Sequence, residues 1–380
     1  MKKFVVSLLV VMFAFVAFDV SFARQIDQGD KTKKGSLKFS FEDHRLVYES
    51  DDGDVVELEE GSQTFSIVQS KLAIAAASVL SNELANVIMD NSGNYTFFKK
   101  QGSNAGDVED SDELTMYIKA FGGQDKLDMK DWTKFDTTYY GAIVGLDTDR
   151  KYNDNFDATY GLFVSYVGSQ LKEDDFGSDK LSQDSFFGGV RGIWYIDKLF
   201  FGAVLDYGYL ANKVKYDAGG VDYSKDYNIQ NIGFSAKAGY NFEVEERSFT
   251  IQPHLIFNSN YLIMDEYESY DPIFVEGNKL KADNIINMAI APGVKLAKTL
   301  GQCWILSAEG KYFFVSSNGD IKIEDDYFVG TLPETYYKDY AILGLGIEKI
   351  WGYTVLHVKV NKTFCGRDGF FINAGIEFKF

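Results

Sequence analysis

Residues 370–380 read FFINAGIEFKF, and the stretch closes on an aromatic residue. Phe370, Ile372, Ala374, Ile376, Phe378 and Phe380 share one register, with Asn373, Gly375, Glu377 and Lys379 in the other. Successive side chains of a strand point to opposite faces, so this segment carries one apolar face and one small or polar face. The pattern repeats upstream. Thr354, Leu356, Val358 and Val360 oppose Val355, His357, Lys359 and Asn361. Ala341, Leu343, Leu345 and Ile347 oppose Ile342, Gly344, Gly346 and Glu348, and Ile232, Phe234, Ala236, Ala238 and Tyr240 oppose Gly233, Ser235, Lys237 and Gly239.

A soluble sandwich also alternates, but its water-facing register is densely charged. Here that register is Gly, Ala, Ser and Asn with single charges, namely Lys119, Arg191, Lys237, Lys295, Glu348 and Lys359. Isolated charges are tolerable inside a wet lumen, whereas Lys or Arg at mid-bilayer on a lipid face costs about 2–4 kcal/mol. These six are therefore expected to face a lumen. Tyr140, Trp194, Tyr209, Tyr261, Trp304 and Phe314 lie near strand ends, as interfacial girdles require.

The two-residue period marks about twelve strands, near 113–121, 135–148, 156–170, 183–196, 199–214, 227–243, 248–263, 283–298, 303–317, 337–349, 353–364 and 370–380. Long connections (122–134, 171–182, 215–226, 264–282, 318–336) alternate with short ones (149–155, 197–198, 244–247, 299–302, 350–352). Sorting loops by parity is the asymmetry of an outer-membrane barrel, with short turns on one side and long loops on the other. The fold class expected is all-β, a single closed antiparallel transmembrane barrel over 113–380. Closure matters because lipid offers free strand edges no hydrogen-bond partner. Pro253 and Pro292 fall inside predicted strands, where a bulge would have to absorb each missing N–H.

The amino terminus points to export. Lys2 and Lys3 precede an apolar run from Phe4 to Phe18, and Ser21-Phe22-Ala23 offers a signal-peptidase site, so residues 1–23 are expected to be a cleaved signal. The run is too short for the roughly twenty residues of a spanning helix. Removing it takes the formal charge from −18 to about −19, which argues against nucleic acid as a partner. Residues 24–64 are polar and acidic, too few to build much of a core. Over 65–89, Val68, Leu72, Ala75, Ala76, Val79, Leu80, Leu84, Val87 and Ile88 recur at helical spacing. The opposite face carries Gln69, Ser70, Asn82, Glu83 and Asn86, and Asp90-Asn91-Ser92-Gly93 ends the helix. Such a helix is about 37 Å long, enough to thread a bilayer-thick pore.

Leu114-Thr-Met-Tyr-Ile-Lys-Ala-Phe-Gly-Gly123, the Tyr139–Asp147 strand, Gly239-Tyr240 with Ile251-Gln-Pro-His-Leu255, and the terminal Gly375-Ile-Glu-Phe-Lys-Phe380 supply a family likeness. With the preceding helix, 113–380 resembles the translocator domain of bacterial autotransporters, the type V secretion systems. The resemblance implies an outer-membrane barrel at the cell surface, plugged by the 65–90 helix. It also implies that the segment before the helix is exported or displayed. Ile376, Phe378 and Phe380 would be the signal read by the barrel-assembly machinery, with periplasmic chaperones and the lipid bilayer as further partners. In some members of the family an Asn on this helix cyclises and releases the passenger; Asn82 and Asn86 lie there, and polar contact with the barrel wall is the simpler role. The chain departs from the family in its passenger: only 24–64 is available, which holds no protease or adhesin domain.

Two other functions compete: a surface adhesin or antigen presenting the long loops, and a weakly cation-preferring porin. An enzyme is not expected, since His44, His254 and His357 are the only histidines and none sits in a catalytic motif. No cofactor or metal is expected. Cys303 and Cys365 would lie at opposite rims, well beyond the 7 Å Cα limit for a disulfide, and are expected to be free thiols.

Overall fold

Alternation with an apolar outer face makes a stable sheet only if every edge is paired, and the chain meets that requirement by closing on itself. A computed structural model describes residues 35–380 except 41–44, 51–54, 59–61, 91–112, 129–133, 154, 174–179, 219–220, 245–247, 270–277, 302, 320, 325–328 and 333–337, with side chains from Leu72 onward apart from some beside those stretches. The predicted signal lies outside the described residues. The elements are β1 (Gly35–Ser40), β2 (Arg45–Ser50), β3 (Val55–Leu58), α1 (Ser62–Met89), β4 (Glu113–Asp128), β5 (Lys134–Asn153), β6 (Phe156–Glu173), β7 (Lys180–Ile196) and β8 (Leu199–Ala218). They continue with β9 (Val221–Tyr240), β10 (Phe242–Val244), β11 (Phe249–Ser269), β12 (Asn278–Leu300), β13 (Trp304–Asn318), β14 (Ile321–Glu324), β15 (Val329–Leu332), β16 (Tyr340–Trp351), β17 (Thr354–Cys365) and β18 (Arg367–Lys379).

Strands β4 to β9, β11 to β13 and β16 to β18 form a closed antiparallel barrel of twelve strands. The seam joins β18 to β4 from Arg367↔Leu127 to Lys379↔Thr115, and the Phe380 amide donates to the Leu114 carbonyl at 2.8 Å. Leu162, Val164, Phe186, Val190, Leu343 and Leu345 are each more than half exposed on the outer face, an apolar belt that lipid would cover.

All twelve predicted strands occur, but those flanking the long loops run further than the sequence pattern indicates. Strands β8 and β9 stay paired to Ala218↔Val221, through residues read as loop. Apolar alternation stops where the bilayer stops, whereas backbone pairing needs no apolar face above it. One connection on the long-loop rim is consequently tight, the single Gly366 between β17 and β18.

The two prolines behave differently from expectation. Neither produces a bulge. Strand β11 pairs with β10 up to Phe242↔Ile251 and resumes with β9 at His254↔Gly239 in unchanged register. Pro253 thus cuts one strand into β9 and β10 without shifting it. Pro292 likewise opens a gap between Ile290↔Phe314 and Gly293↔Lys311. Omitting a few ladder bonds accommodates the missing donor locally.

The lumen also differs from a uniformly wet channel. Phe121, Phe135, Tyr139, Phe163, Leu171, Leu181, Phe187, Leu210, Ile256, Leu262 and Phe313 point inward and pack with Leu72, Val79, Leu80, Leu84, Val87 and Ile88 in one buried cluster. The helix has no solvent face: its residues from Leu72 to Met89 are buried all round. Of the polar face expected for it, Asn82, Glu83 and Asn86 are buried within the barrel and not turned to water, and the side chains of Gln69 and Ser70 lie outside those described.

Candidate functional site: the helix-filled lumen

The glycines of the inward register have a specific use. An inward side chain on one strand lies across a glycine directly opposite it on the next. Tyr117 pairs with Gly145, Phe121 with Gly141, Phe163 with Gly189 and Phe187 with Gly208. A Cβ built on Gly145 would sit 2.2 Å from the Tyr117 ring, and one on Gly208 would sit 2.4 Å from that of Phe187. Large side chains are thereby laid flat against the wall, leaving the axis clear for a helix.

Two charged groups hold the helix. Arg367, fully buried at the start of β18, donates to Glu83 of the helix and to Asp125 of β4, each at 2.6 Å. The Tyr139 hydroxyl donates to the same Asp125 at 3.1 Å, and Thr363 donates to it at 2.6 Å. The second group surrounds the end of the helix. Lys359 is paired with Asp90 and lies 2.5 Å from Glu309. Glu309 also draws in Lys311 at 3.4 Å, Lys237 at 3.9 Å and His254 at 3.2 Å. Lys119, Arg191 and Lys295 donate to the carbonyls of Val87 (3.4 Å), Ile88 (2.8 Å) and Asp90 (3.5 Å) respectively. Arg191 is also paired with Asp147 and stacks 4.5 Å from the Tyr117 ring centre.

Of the six charges singled out in the inward register, Lys119, Lys237, Lys295, Glu348 and Lys359 are buried, the Arg191 side chain is 8% exposed, and Glu348 pairs across the sheet with His357. Of the helix residues, Asn82 accepts from Asn260 at 2.9 Å and Glu83 binds Arg367. Asn86 is buried with no hydrogen-bond partner among the described residues. Gln69 falls on the helix, but its side chain is outside those described. Ile376 and Phe378 lie on the outward register of the seam strand, opposite Ile118 and Met116, and Phe380 is 74% exposed.

Sequence reasoning missed Arg367, Asp125, Asp90 and Glu309. Arg367 and Asp125 fell beyond the predicted strand ends, and Asp90 was read only as a helix stop. Glu309 sits in the inward register of β13 and was legible by parity alone. Both cysteines are free and exposed, Cys303 by the short turn before β13 and Cys365 at the far end of β17.

Residues 116–351, well over half the chain, match the family model described as the autotransporter beta-domain. The chain belongs to the autotransporter family. The barrel of this autotransporter is similar to the transport unit of AIDA-I from Escherichia coli, with 19% identity, 76% of this chain and 98% of that one covered, and a TM-score of 0.58. It is similar also to the translocator domain of NalP from Neisseria meningitidis (13% identity, 77% and 98% covered, TM-score 0.54) and to the beta domain of Bordetella BrkA (13%, 70% and 98%, 0.53). At such identities the likeness is one of fold. No curated protein matches the sequence. An autotransporter β-domain is an outer-membrane barrel of the transport type, which places the short turns in the periplasm and the long loops outside.

Proposed function

We propose that this autotransporter exports and displays its own N-terminal segment, residues 24–64, after removal of a signal at 1–23. The helix over 65–90 then stays behind as the plug of the 113–380 barrel. The observation that carries this reading is the position of the N-terminal strands. β1, β2 and β3 form an antiparallel meander, and β1 pairs in parallel with β15 at Ser36↔Thr331. Strand β15 belongs to the connection between β13 and β16 on the long-loop rim. Strand β1 therefore meets the barrel at the long-loop rim, while the helix end reaches inward-facing residues of mid-strand such as Lys359. Chain polarity fits passage from periplasm to surface.

In this reading the lumen-facing charges Lys119, Arg191, Lys237, Lys295, Glu348 and Lys359 seat the helix together with Glu83. Ile376, Phe378 and Phe380 present the assembly signal to the barrel-assembly machinery, after delivery by periplasmic chaperones. A porin is less well supported, because the helix occupies the lumen and is buried on all sides. The test is an epitope placed beside Gly35 in whole cells. Protease added outside should remove it while the barrel survives. An epitope resistant in intact cells but cleaved after the outer membrane is opened would refute display.

A further inference from the structure

The last turn of any α-helix leaves about four carbonyls without intrahelical donors and carries roughly half a negative charge. Helices usually meet this with a basic side chain or a glycine cap of their own. This helix has no basic residue in its last turn. Its end is capped by the barrel instead. Lys119, Arg191 and Lys295 donate to the carbonyls of Val87, Ile88 and Asp90, and Lys359 takes the Asp90 carboxylate, which Asn373 also approaches at 3.5 Å. These cations come from β4, β7, β12 and β17, the first, fourth, eighth and eleventh strands around the cylinder. They approach the end from four sides.

The flank of the helix specifies its height far less. Its apolar side chains pack against the inward wall residues without directional bonds, Ala73 and Ala75 to Ala77 offer short contacts that a one-turn shift repeats, and its polar contacts include Gln183 with the Ala73 carbonyl, Asn231 and Asn260 with Ser81, Asn260 with Asn82, and Arg367 with Glu83. Arg367 keeps Asp125 as a partner wherever Glu83 goes.

We propose that the lumen wall is a receptor for the carboxylate-bearing C-terminal end of an α-helix, built from Lys119, Arg191, Lys295 and Lys359. This receptor, and not the helix flank, sets where the exported chain comes to rest. It rests on the translocator reading, since a stop position has meaning only for a chain that moves through the barrel.

The test uses the full chain carrying Cys303→Ser and Cys365→Ser, with Ser81→Cys and Asn260→Cys as a reporter. Ser81 Oγ and Asn260 Oδ1 are 2.6 Å apart, within reach of a short bifunctional thiol crosslinker. Four alanines inserted after Ala85 add one turn, about 6 Å, between reporter and receptor. With the end anchored, position 81 moves outward and the crosslink is lost while the pore stays closed in planar bilayers. The same insertion after Ala76 leaves the crosslink intact, which shows that the longer helix is tolerated. A crosslink that persists with the insertion after Ala85 overturns the proposal, because the flank would then set the height. Loss of the crosslink together with an open pore overturns it as well, since the receptor would have failed to seat the end. Epitope shaving on the same cells reports separately on display, so a failed receptor and a failed translocator are told apart.

Discussion

At the scale of single residues, the lumen is organised by charges that no water reaches freely. Arg367 satisfies two carboxylates, one on the helix and one on the wall, and all three groups are fully buried. Removing one partner of such a set leaves uncompensated charge, which typically costs about 3–5 kcal/mol. Arg367→Met is expected to lower barrel stability by that order in detergent unfolding, with Glu83→Gln costing less because Asp125 remains paired. Equal stability of Arg367→Met and the parent would show that the cluster contributes nothing. Glycine is the other residue-level device. Gly145 lies beneath the Tyr117 ring, which in turn stacks on Arg191. Gly145→Val has to lift that ring into the lumen, and overpacking of this kind costs about 1–3 kcal/mol. The expected readout is a lower unfolding midpoint, with Gly188→Val nearly silent because a Cβ there meets only the Phe163 carbonyl at 3.9 Å.

At the scale of elements, legibility followed the reach of the lipid. Every barrel strand announced itself where one face had to be greasy, and Leu343, Leu345 and Leu356 sit on that face as read. The pattern weakened above the bilayer, where β8 and β9 continue to Ala218↔Val221 through a stretch crowded with Lys213, Lys215, Asp217, Asp222, Lys225 and Asp226. It was also misleading inside. Phe121, Phe163 and Phe187 occupy the inward register because the helix, not water, fills that half of the lumen, and no local period distinguishes a helix-facing strand position from a lipid-facing one. Parity could place Lys119 or Lys359 on the inner wall. It could not show that Lys359 meets Asp90, 269 residues away along the chain. The helix itself was recognisable from Leu72, Ala75, Val79 and Leu84, but not its enclosure. Deleting residues 65–90 should leave a closed cylinder that still shifts on unboiled gels, yet it strips the apolar cover from those inward aromatics. A stable open conductance and a lower melting midpoint are expected together. If the deleted barrel stays closed in planar bilayers, something other than the helix blocks the pore.

At the scale of the whole molecule, assembly and stability are separable, and the last residue is where they part. Phe380 is 74% exposed on the outer face, and its tie to the seam is a backbone one, its amide donating to the Leu114 carbonyl. Phe380→Ala keeps that bond and removes only surface that lipid or detergent would cover, so the folded barrel should be altered by little more than about 0.5 kcal/mol, as for other surface changes. In cells the outcome should differ sharply if the terminal aromatic, with Phe378 two and Ile376 four residues before it, is what the assembly machinery reads. The expected result is a several-fold drop in heat-modifiable barrel in the outer membrane, while the same variant refolds in detergent micelles with a parental yield and midpoint. A parallel fall in both would make Phe380 a structural residue of the seam, and no change in either would remove the terminal aromatic from the assembly signal. Because the seam pairs thirteen consecutive positions from Arg367↔Leu127 to Lys379↔Thr115, trimming one side chain at its end leaves closure intact. Recognition by a partner is then the process left for the substitution to disturb.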